Sequence, residues 1–184
     1  HAGEDVLYCC VSDHGATPLG PVFRTHEALA AAGLCDFQPL KVEKEGVGDL
    51  YTEKEGWDYV MNIEKSKAVP NRYMFVYVNL KSKFEHGCVE DEDFETVQQQ
   101  IIDALLDYKH PETGERPVVF ALSSRDAQIV GMGGPDQGAD VIYALKPRYM
   151  AEHGYGLPTA KDGCCELRNM ITFKGPNVKR GYKH

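Results

Sequence analysis

Apolar positions along the chain fall mainly into short runs separated by charged residues and glycines. These runs are rich in β-branched and aromatic residues, as buried strands are. They predict strands at 6–11, 72–80, 117–122, 139–145 and 170–174. Residues 38–70 have scattered charge and weak periodicity, so they predict an irregular excursion or a small hairpin subdomain.

Two segments have the spacing of helices instead. Apolar side chains recur every three or four residues at Phe94, Val97, Ile101, Leu105 and Tyr108. The acidic run 90–93 before them suits the positive end of a helix dipole, and a solvated helix start explains this run better than a calcium loop. A shorter helix is predicted over 26–32, with Thr25 as its N-cap and Gly33 as its C-terminal stop. Strands and helices together predict a mixed α/β fold with a largely parallel sheet flanked by helices.

Composition narrows the class of protein. With 184 residues, 42% of them hydrophobic, the chain can bury one core, and residues 1–184 are expected to belong to one domain. No apolar run approaches the roughly 18 residues of a membrane span, and no secretory leader opens the chain, so a soluble, cytoplasmic protein is expected. A formal charge of −8 argues against nucleic acid as a partner.

The six cysteines do not have zinc-knuckle spacing, because four of them form the adjacent pairs 9–10 and 164–165. Neighbouring residues of a strand face opposite sides of a sheet. Cys9 and Cys10 are therefore expected to be reduced core residues of a sheet that is covered on both faces. The role of Cys164 and Cys165 stays open.

The strand predicted at 6–11 is followed by Ser12-Asp13-His14-Gly15. These residues lie at its carboxyl end, where open α/β sheets place their ligand sites. Asp13 offers an oxygen ligand and His14 a nitrogen ligand, while Gly15 lets the backbone turn away, so the pair suits a divalent metal. The alternative is an aspartate that caps the following turn beside a surface histidine.

Residues 11–15 resemble the metal-binding signature of the alkaline phosphatase superfamily, in its type I phosphodiesterase and nucleotide pyrophosphatase branch, which includes many predicted phosphohydrolases. Further segments follow in the order found in that branch, so the resemblance covers most of the chain. They are Tyr77-Val78-Asn79-Leu80-Lys81, Gly87-Cys88-Val89, Pro111-Glu112-Thr113-Gly114-Glu115, and the segments 140–147, 152–159 and 174–179.

The resemblance implies an alkaline-phosphatase-like fold and a hydrolase that cleaves small phosphate esters with two divalent metal ions, Zn or Mn. Asp13 and His14 would bind one ion, and His153, in Glu-His-Gly-Tyr-Gly-Leu-Pro-Thr, would bind the other. For His153, the alternative is an exposed loop histidine. In the family, a Thr or Ser alkoxide attacks phosphorus in line, and water then cleaves the phospho-enzyme.

The family's nucleophile and its Asp-x-x-x-His pair find no counterpart in the twelve residues before Asp13. The chain is therefore expected to be the carboxyl-terminal part of the domain, with no catalytic nucleophile of its own and the rest of the parent chain as its partner. Alone, it is expected to be inactive and to bind metal weakly or not at all. Alternatives are a phosphoglycerate mutase-like or sulfatase-like enzyme of the same superfamily, or a metal-free, non-catalytic binding module.

Overall fold

The computed structural model describes residues 6–12, 20–39, 59–71, 74–132, 138–147, 149 and 170–181. The strands in these ranges are β1 Tyr8–Val11, β2 Phe37–Pro39, β3 Tyr59–Met61, β4 Ala68–Asn71, β5 Phe75–Val78, β6 Val118–Ser123, β7 Val141–Leu145 and β8 Ile171–Lys174. The α-helices are α1 Thr25–Ala31 and α2 Phe94–Asp107. Short 3-10 turns cover Ile63–Lys65, Asp91–Asp93 and Asp126–Val130. The chain is thus mixed α/β.

The main sheet has four strands in the order β4-β5-β7-β6, and its neighbouring strands all pair antiparallel. The expectation of a largely parallel sheet is therefore wrong for the strands that the structure describes. The reason lies in the placement of β7. Strands β5 and β6 run in the same direction and are joined through α2, as in a βαβ unit, but β7 lies between them and runs opposite to both.

Helix α2 packs against one face of this sheet and is the best-predicted element of the chain. It begins at Phe94 as expected and ends at Asp107, one residue before the predicted end. Its buried residues are Val97, Ile101 and Leu105, which confirms the helical spacing of the apolar positions. Because Ile101 and Leu105 are completely buried, this helix contributes the centre of the hydrophobic core.

Helix α1 begins one residue earlier than predicted and contacts α2 and β4. Arg24 occupies the N-cap position, so the prediction of Thr25 as N-cap is wrong. Thr25 is instead tied to the sheet, since its hydroxyl shares a hydrogen bond of 2.5 Å with the Tyr143 hydroxyl in β7. Gly33 has a φ of 71°, and this left-handed conformation after the last helical turn confirms its role as the stop.

Strand β7 is buried at every position, because the sheet is covered on both faces. Helix α2 covers one face, and the 3-10 turn Asp126–Val130 lies against β6 on the other. There Ala127 packs with Ala139 and Ile142 in a second, smaller cluster. The apolar sequence of β7 is thus that of a central strand, whichever way its neighbours run.

Strands β1 and β8 form a separate antiparallel ribbon, in which Cys9 pairs with Phe173 and Cys10 with Thr172. Every residue of the two strands is exposed. The expectation that β1 is buried and that Cys9 and Cys10 are core residues is therefore wrong. Its apolar pattern predicted the strand correctly, but among the described residues no layer covers either face of the ribbon.

Of the predicted excursion at 38–70, residues 40–58 lie outside the described residues, and the remainder contains more regular structure than its sequence indicates. Strands β2 and β3 pair antiparallel, which agrees with the hairpin reading, and Ala68–Asn71 forms the edge strand of the main sheet. Pro70 lies in that edge strand, where a missing N–H is tolerated. None of the described helices is long and apolar enough to cross a membrane.

Candidate functional site

The three predicted metal ligands, Asp13, His14 and His153, lie outside the described residues, so their convergence stays a prediction. They belong to the segments 13–19 and 150–169. The structure does describe the residues on both sides of each segment. Those flanking residues are Ser12 and Gly20 for the first, and Tyr149 and Met170 for the second.

Ser12 and Met170 meet at the end of the β1–β8 ribbon. The Ser12 N–H donates to the Met170 carbonyl at 3.0 Å, and the Met170 N–H donates to the Ser12 hydroxyl at 2.8 Å. The ladder of the ribbon therefore continues one residue beyond its last strand pair, Val11 with Ile171. As a result, Ser12, which precedes Asp13, is hydrogen-bonded to Met170, the residue that follows the 150–169 segment.

Tyr149 and Val22, two residues beyond the Gly20 flank, both contact a turn of residues 110–115, which we call the His110 turn. Two backbone hydrogen bonds close it, from the His110 N–H to the Glu115 carbonyl and from the Gly114 N–H to the His110 carbonyl, both 2.8 Å. Gly114 has a φ of 69°, a conformation that glycine adopts without strain. The sequence Pro-Glu-Thr-Gly-Glu within this turn is typical of tight turns.

The imidazole of His110 is buried, with 4% of its surface exposed, and both ring nitrogens are bonded. Its Nδ1 accepts the Glu112 N–H at 3.3 Å, so the proton lies on Nε2. Nε2 donates to the Val22 carbonyl at 3.0 Å. Val22 lies three residues after the 13–19 segment. This hydrogen bond therefore attaches the chain that follows the segment to the His110 turn.

Tyr149 packs on the other side of the same turn. Its ring meets the His110 imidazole edge-on, with centroids 5.6 Å apart. Its hydroxyl lies 2.6 Å from the Thr113 hydroxyl and donates to a Glu115 carboxylate oxygen at 3.4 Å. Since Tyr149 immediately precedes the 150–169 segment, the His110 turn also contacts the chain at the start of that segment.

Covalent geometry limits how far the predicted ligands lie from these anchors. His153 is four Cα–Cα steps from Tyr149, which limits their Cα separation to about 14 Å. His14 is two steps from Ser12, for a limit of about 7 Å. Gly20 is eight steps from Ser12, so these two residues are at most about 28 Å apart. The 13–19 and 150–169 segments are thus each flanked on one side by the Ser12–Met170 pair and on the other by residues at or near the His110 turn.

Sequence reasoning missed His110 and Asn79. Asn79 is completely buried, and its amide nitrogen donates to the carbonyls of Ile63 and Ser66 at 2.8 and 2.9 Å. A buried amide at the end of β5 could have been expected from Tyr-Val-Asn-Leu, because buried amides collect loop carbonyls. His110 gave no signal beyond a lone histidine before proline. Both residues bond backbone groups.

Within the described ranges, no three His, Cys, Asp or Glu side chains are grouped in a way that could hold a metal ion. The acidic run before α2 is partly neutralised, since Lys81 pairs with Glu90 and the Ser82 hydroxyl bonds Asp91. His86 is exposed and lies 3.7 Å from a Glu64 oxygen. These groups are surface pairs, which agrees with reading the run as a solvated helix start.

Comparison of the chain with protein-family models, with curated proteins and with solved structures finds no match. The resemblance to the alkaline phosphatase superfamily therefore rests on the sequence segments quoted above.

Proposed function

We propose that this chain contributes part of the metal centre of a phosphohydrolase of the alkaline phosphatase superfamily, acting on small phosphate esters. In this proposal Asp13 and His14 bind one divalent ion and His153 binds the other, while the Thr or Ser nucleophile comes from a further segment. The alkaline-phosphatase-like sheet, with more strands than the described ranges contain, belongs to the same proposal.

The observation that supports it best is the hydrogen bonding between Ser12 and Met170. These bonds bring the start of the Asp13-His14 segment to the end of the His153 segment, although 157 residues lie between Ser12 and Met170 in the sequence. The His110 turn contacts both Tyr149 and Val22, which lies two residues beyond the Gly20 flank. Segments that share both anchors can present ligands to one site, as two adjacent metal ions require.

The donor set fits a divalent ion. One carboxylate oxygen and two imidazole nitrogens are ligands that Zn and Mn accept, although a complete zinc site needs three or four ligands around each ion. Ions bound there would stabilise the negative charge that develops on phosphate oxygens. The net charge of −8 would otherwise repel a phosphate ester, so local positive charge is needed at the site.

The test is a titration of the purified chain with Mn²⁺, followed by NMR, because paramagnetic broadening reports even weak binding. We expect the amide signals of Ser12, Met170 and Tyr149 to broaden together. Because the two histidines are assigned to different ions, replacing both in a His14→Ala/His153→Ala double variant should remove this broadening. His86→Ala is the matched control, since His86 is an exposed histidine outside both segments, and it should leave the broadening unchanged.

Broadening confined to the acidic residues 90–93, or broadening at Ser12 that the double histidine variant retains, would contradict the proposal. The reaction class needs a second measurement on a protein that includes the nucleophile segment. A panel of phosphomonoesters, phosphodiesters and sulfate esters separates a phosphohydrolase from a sulfatase, and transfer to an acceptor alcohol identifies a mutase. A metal-free binding module would turn over none of them.

A further inference from the structure

The two faces of the β1–β8 ribbon differ in composition. Residues that pair directly across an antiparallel ribbon project their side chains to the same side, and successive residues alternate between sides. The pairing of Cys9 with Phe173 and of Val11 with Ile171 therefore defines one face, which also includes Leu7, one residue before β1. We call these five residues the Phe173 face.

The opposite face of the ribbon is polar by comparison. It contains the pairs Tyr8 with Lys174 and Cys10 with Thr172, and therefore an ammonium group and two hydroxyls. The five residues of the Phe173 face include no charged and no hydroxyl-bearing side chain. This difference between the faces is typical of an antiparallel ribbon that buries one side.

The Phe173 face is exposed. Its four large side chains are each about half exposed, from 48% for Phe173 to 58% for Val11. A half-exposed side chain of this size presents on the order of 100 Å², so the face presents roughly 400 Å² of contiguous apolar surface. Apolar patches of this size on a soluble protein are often functional.

We propose that the Phe173 face is the interface of a homodimer, in which two copies of this chain pack their ribbons face to face about a two-fold axis. The large side chains of two such faces together bury about 800 Å², and the surrounding ribbon brings the total to roughly the 1,000 Å² that a specific interface needs. An interface near this lower limit forms a weak dimer, whose population depends on protein concentration. The proposal is independent of any metal.

The shape of the face is self-complementary. Phe173 is paired with the small Cys9, and Leu7 lies beside Gly175, where a Cβ would be 2.9 Å from the Leu7 Cα. A two-fold axis that lies between the two ribbons and parallel to their strands places β1 of one copy over β8 of the other. Each Phe173 ring then lies over Cys9 of the second copy, and each Leu7 side chain lies over its Gly175. Large side chains thus meet small ones across the interface, as close packing requires.

Charge also favours a second copy as the occupant. Each chain has a formal charge of −8, so two copies associate most readily through a surface that adds no like-charge contact. The Phe173 face meets this requirement, because packing two such faces together buries no unpaired charge. A partner that is recognised by charge complementarity would need charged groups that this face lacks.

The test is sedimentation velocity of the purified chain over a series of protein concentrations. We expect a dimer that grows with concentration, and we expect Phe173→Lys to raise its dissociation constant by about tenfold or more, because the ammonium group would be buried in an apolar interface. Thr172→Lys is the matched control, since it makes the same charge change at the neighbouring residue on the opposite face, and it should leave the dimer unchanged. Both variants reduce the net negative charge, so a loss of dimer in Phe173→Lys alone does not come from repulsion between the copies.

Thiol reactivity is a second measurement that needs no substitution. Cys9 belongs to the Phe173 face and Cys10 to the opposite face, and both are exposed free thiols. Brief labelling of the unsubstituted chain with a maleimide, followed by tandem mass spectrometry, distinguishes the two adjacent sites. The labelling of Cys9 should slow as protein concentration rises, while that of Cys10 should stay constant.

A chain that stays monomeric at every concentration would overturn the proposal, as would a dimer that Phe173→Lys leaves intact. A dimer that both lysine variants disrupt equally would show that the integrity of the ribbon, and not the Phe173 face, is required, and would also overturn it. A Cys9 thiol that is unreactive in the dilute monomer would do the same, because the chain's own residues would then cover this face.

Discussion

The carboxylate of Asp140 accepts the backbone N–H of Val78 at 2.8 Å, at the point where β5 and β7 stop pairing through their backbones. Asp140 is 8% exposed, and its carbonyl also accepts the Gln98 side chain from α2 at 2.7 Å. A side chain therefore continues the ladder between the two central strands. The same residue joins the sheet to the helix that covers it.

Replacing Asp140→Ala should lower the free energy of unfolding by about 1–3 kcal/mol, because it leaves the buried Val78 N–H without an acceptor. Urea denaturation measures the change. Lys83→Ala is the control, since Lys83 lies 3.6 Å from the same carboxylate but is 46% exposed, and should cost at most about 1 kcal/mol. Equal losses in the two variants would mean that the stabilising contribution of Asp140 comes from its ion pair with Lys83 and not from its hydrogen bond to Val78.

Replacing Ile101→Ala should cost about 2–5 kcal/mol, the range for truncating a large aliphatic side chain in a packed core. Ile101 lies on the face of α2 that packs against the sheet, and its side chain is completely buried. The control is Gln99→Ala on the exposed side of the helix, which should change stability by about 0.5 kcal/mol or less. An unchanged denaturant midpoint for the Ile101 variant would contradict the packing of this helix.

The sequence predicted α2 well and the sheet poorly, and the difference is physical. The burial of Val97, Ile101 and Leu105 follows from spacing within one segment. The insertion of β7 between β5 and β6 depends on pairing across more than sixty residues, between Val76 and Val141 for example, which no local pattern encodes.

In the candidate site, too, local features could be predicted from the sequence and long-range contacts could not. Strand β1 before Asp13 was recognisable from its own residues, but its exposure depends on what packs against it. The metal-binding role of Asp13 and His14 was predicted from residue types and from the family resemblance, and it stays a prediction. The anchors Ser12–Met170 and Val22–His110 join residues 158 and 88 positions apart, so only the fold reveals them.

Replacing Gly87→Ala should destabilise the loop after β5. A Cβ at this position would lie 2.1 Å from the Leu80 carbonyl oxygen, which is a backbone atom that cannot rotate away. We expect a loss of about 1–3 kcal/mol, as for other overpacked sites. Gly114→Ala is an informative comparison, because nothing lies within 4 Å of its Cβ and only its φ of 69° is unfavourable. A smaller loss at residue 87 than at residue 114 would contradict the close approach to Leu80.

Acid should destabilise the fold through His26. Burial of this ring in α1, together with the charge of Arg24, lowers the pKa of His26 from 6.5 to about 4. As pH falls below 6.5, the unfolded chain binds a proton at this ring before the folded chain does, so the free energy of unfolding decreases until about pH 4. The total loss from this residue is about 3 kcal/mol, at 1.36 kcal/mol for each pKa unit.

Urea denaturation at a series of pH values measures this loss. Between pH 6.5 and 4 the free energy of unfolding should fall less steeply for His26→Phe, whose ring cannot be protonated, than for the unsubstituted chain. Parallel pH profiles for the unsubstituted chain and His26→Phe would show that the buried ring stays solvated enough to be protonated in the folded state.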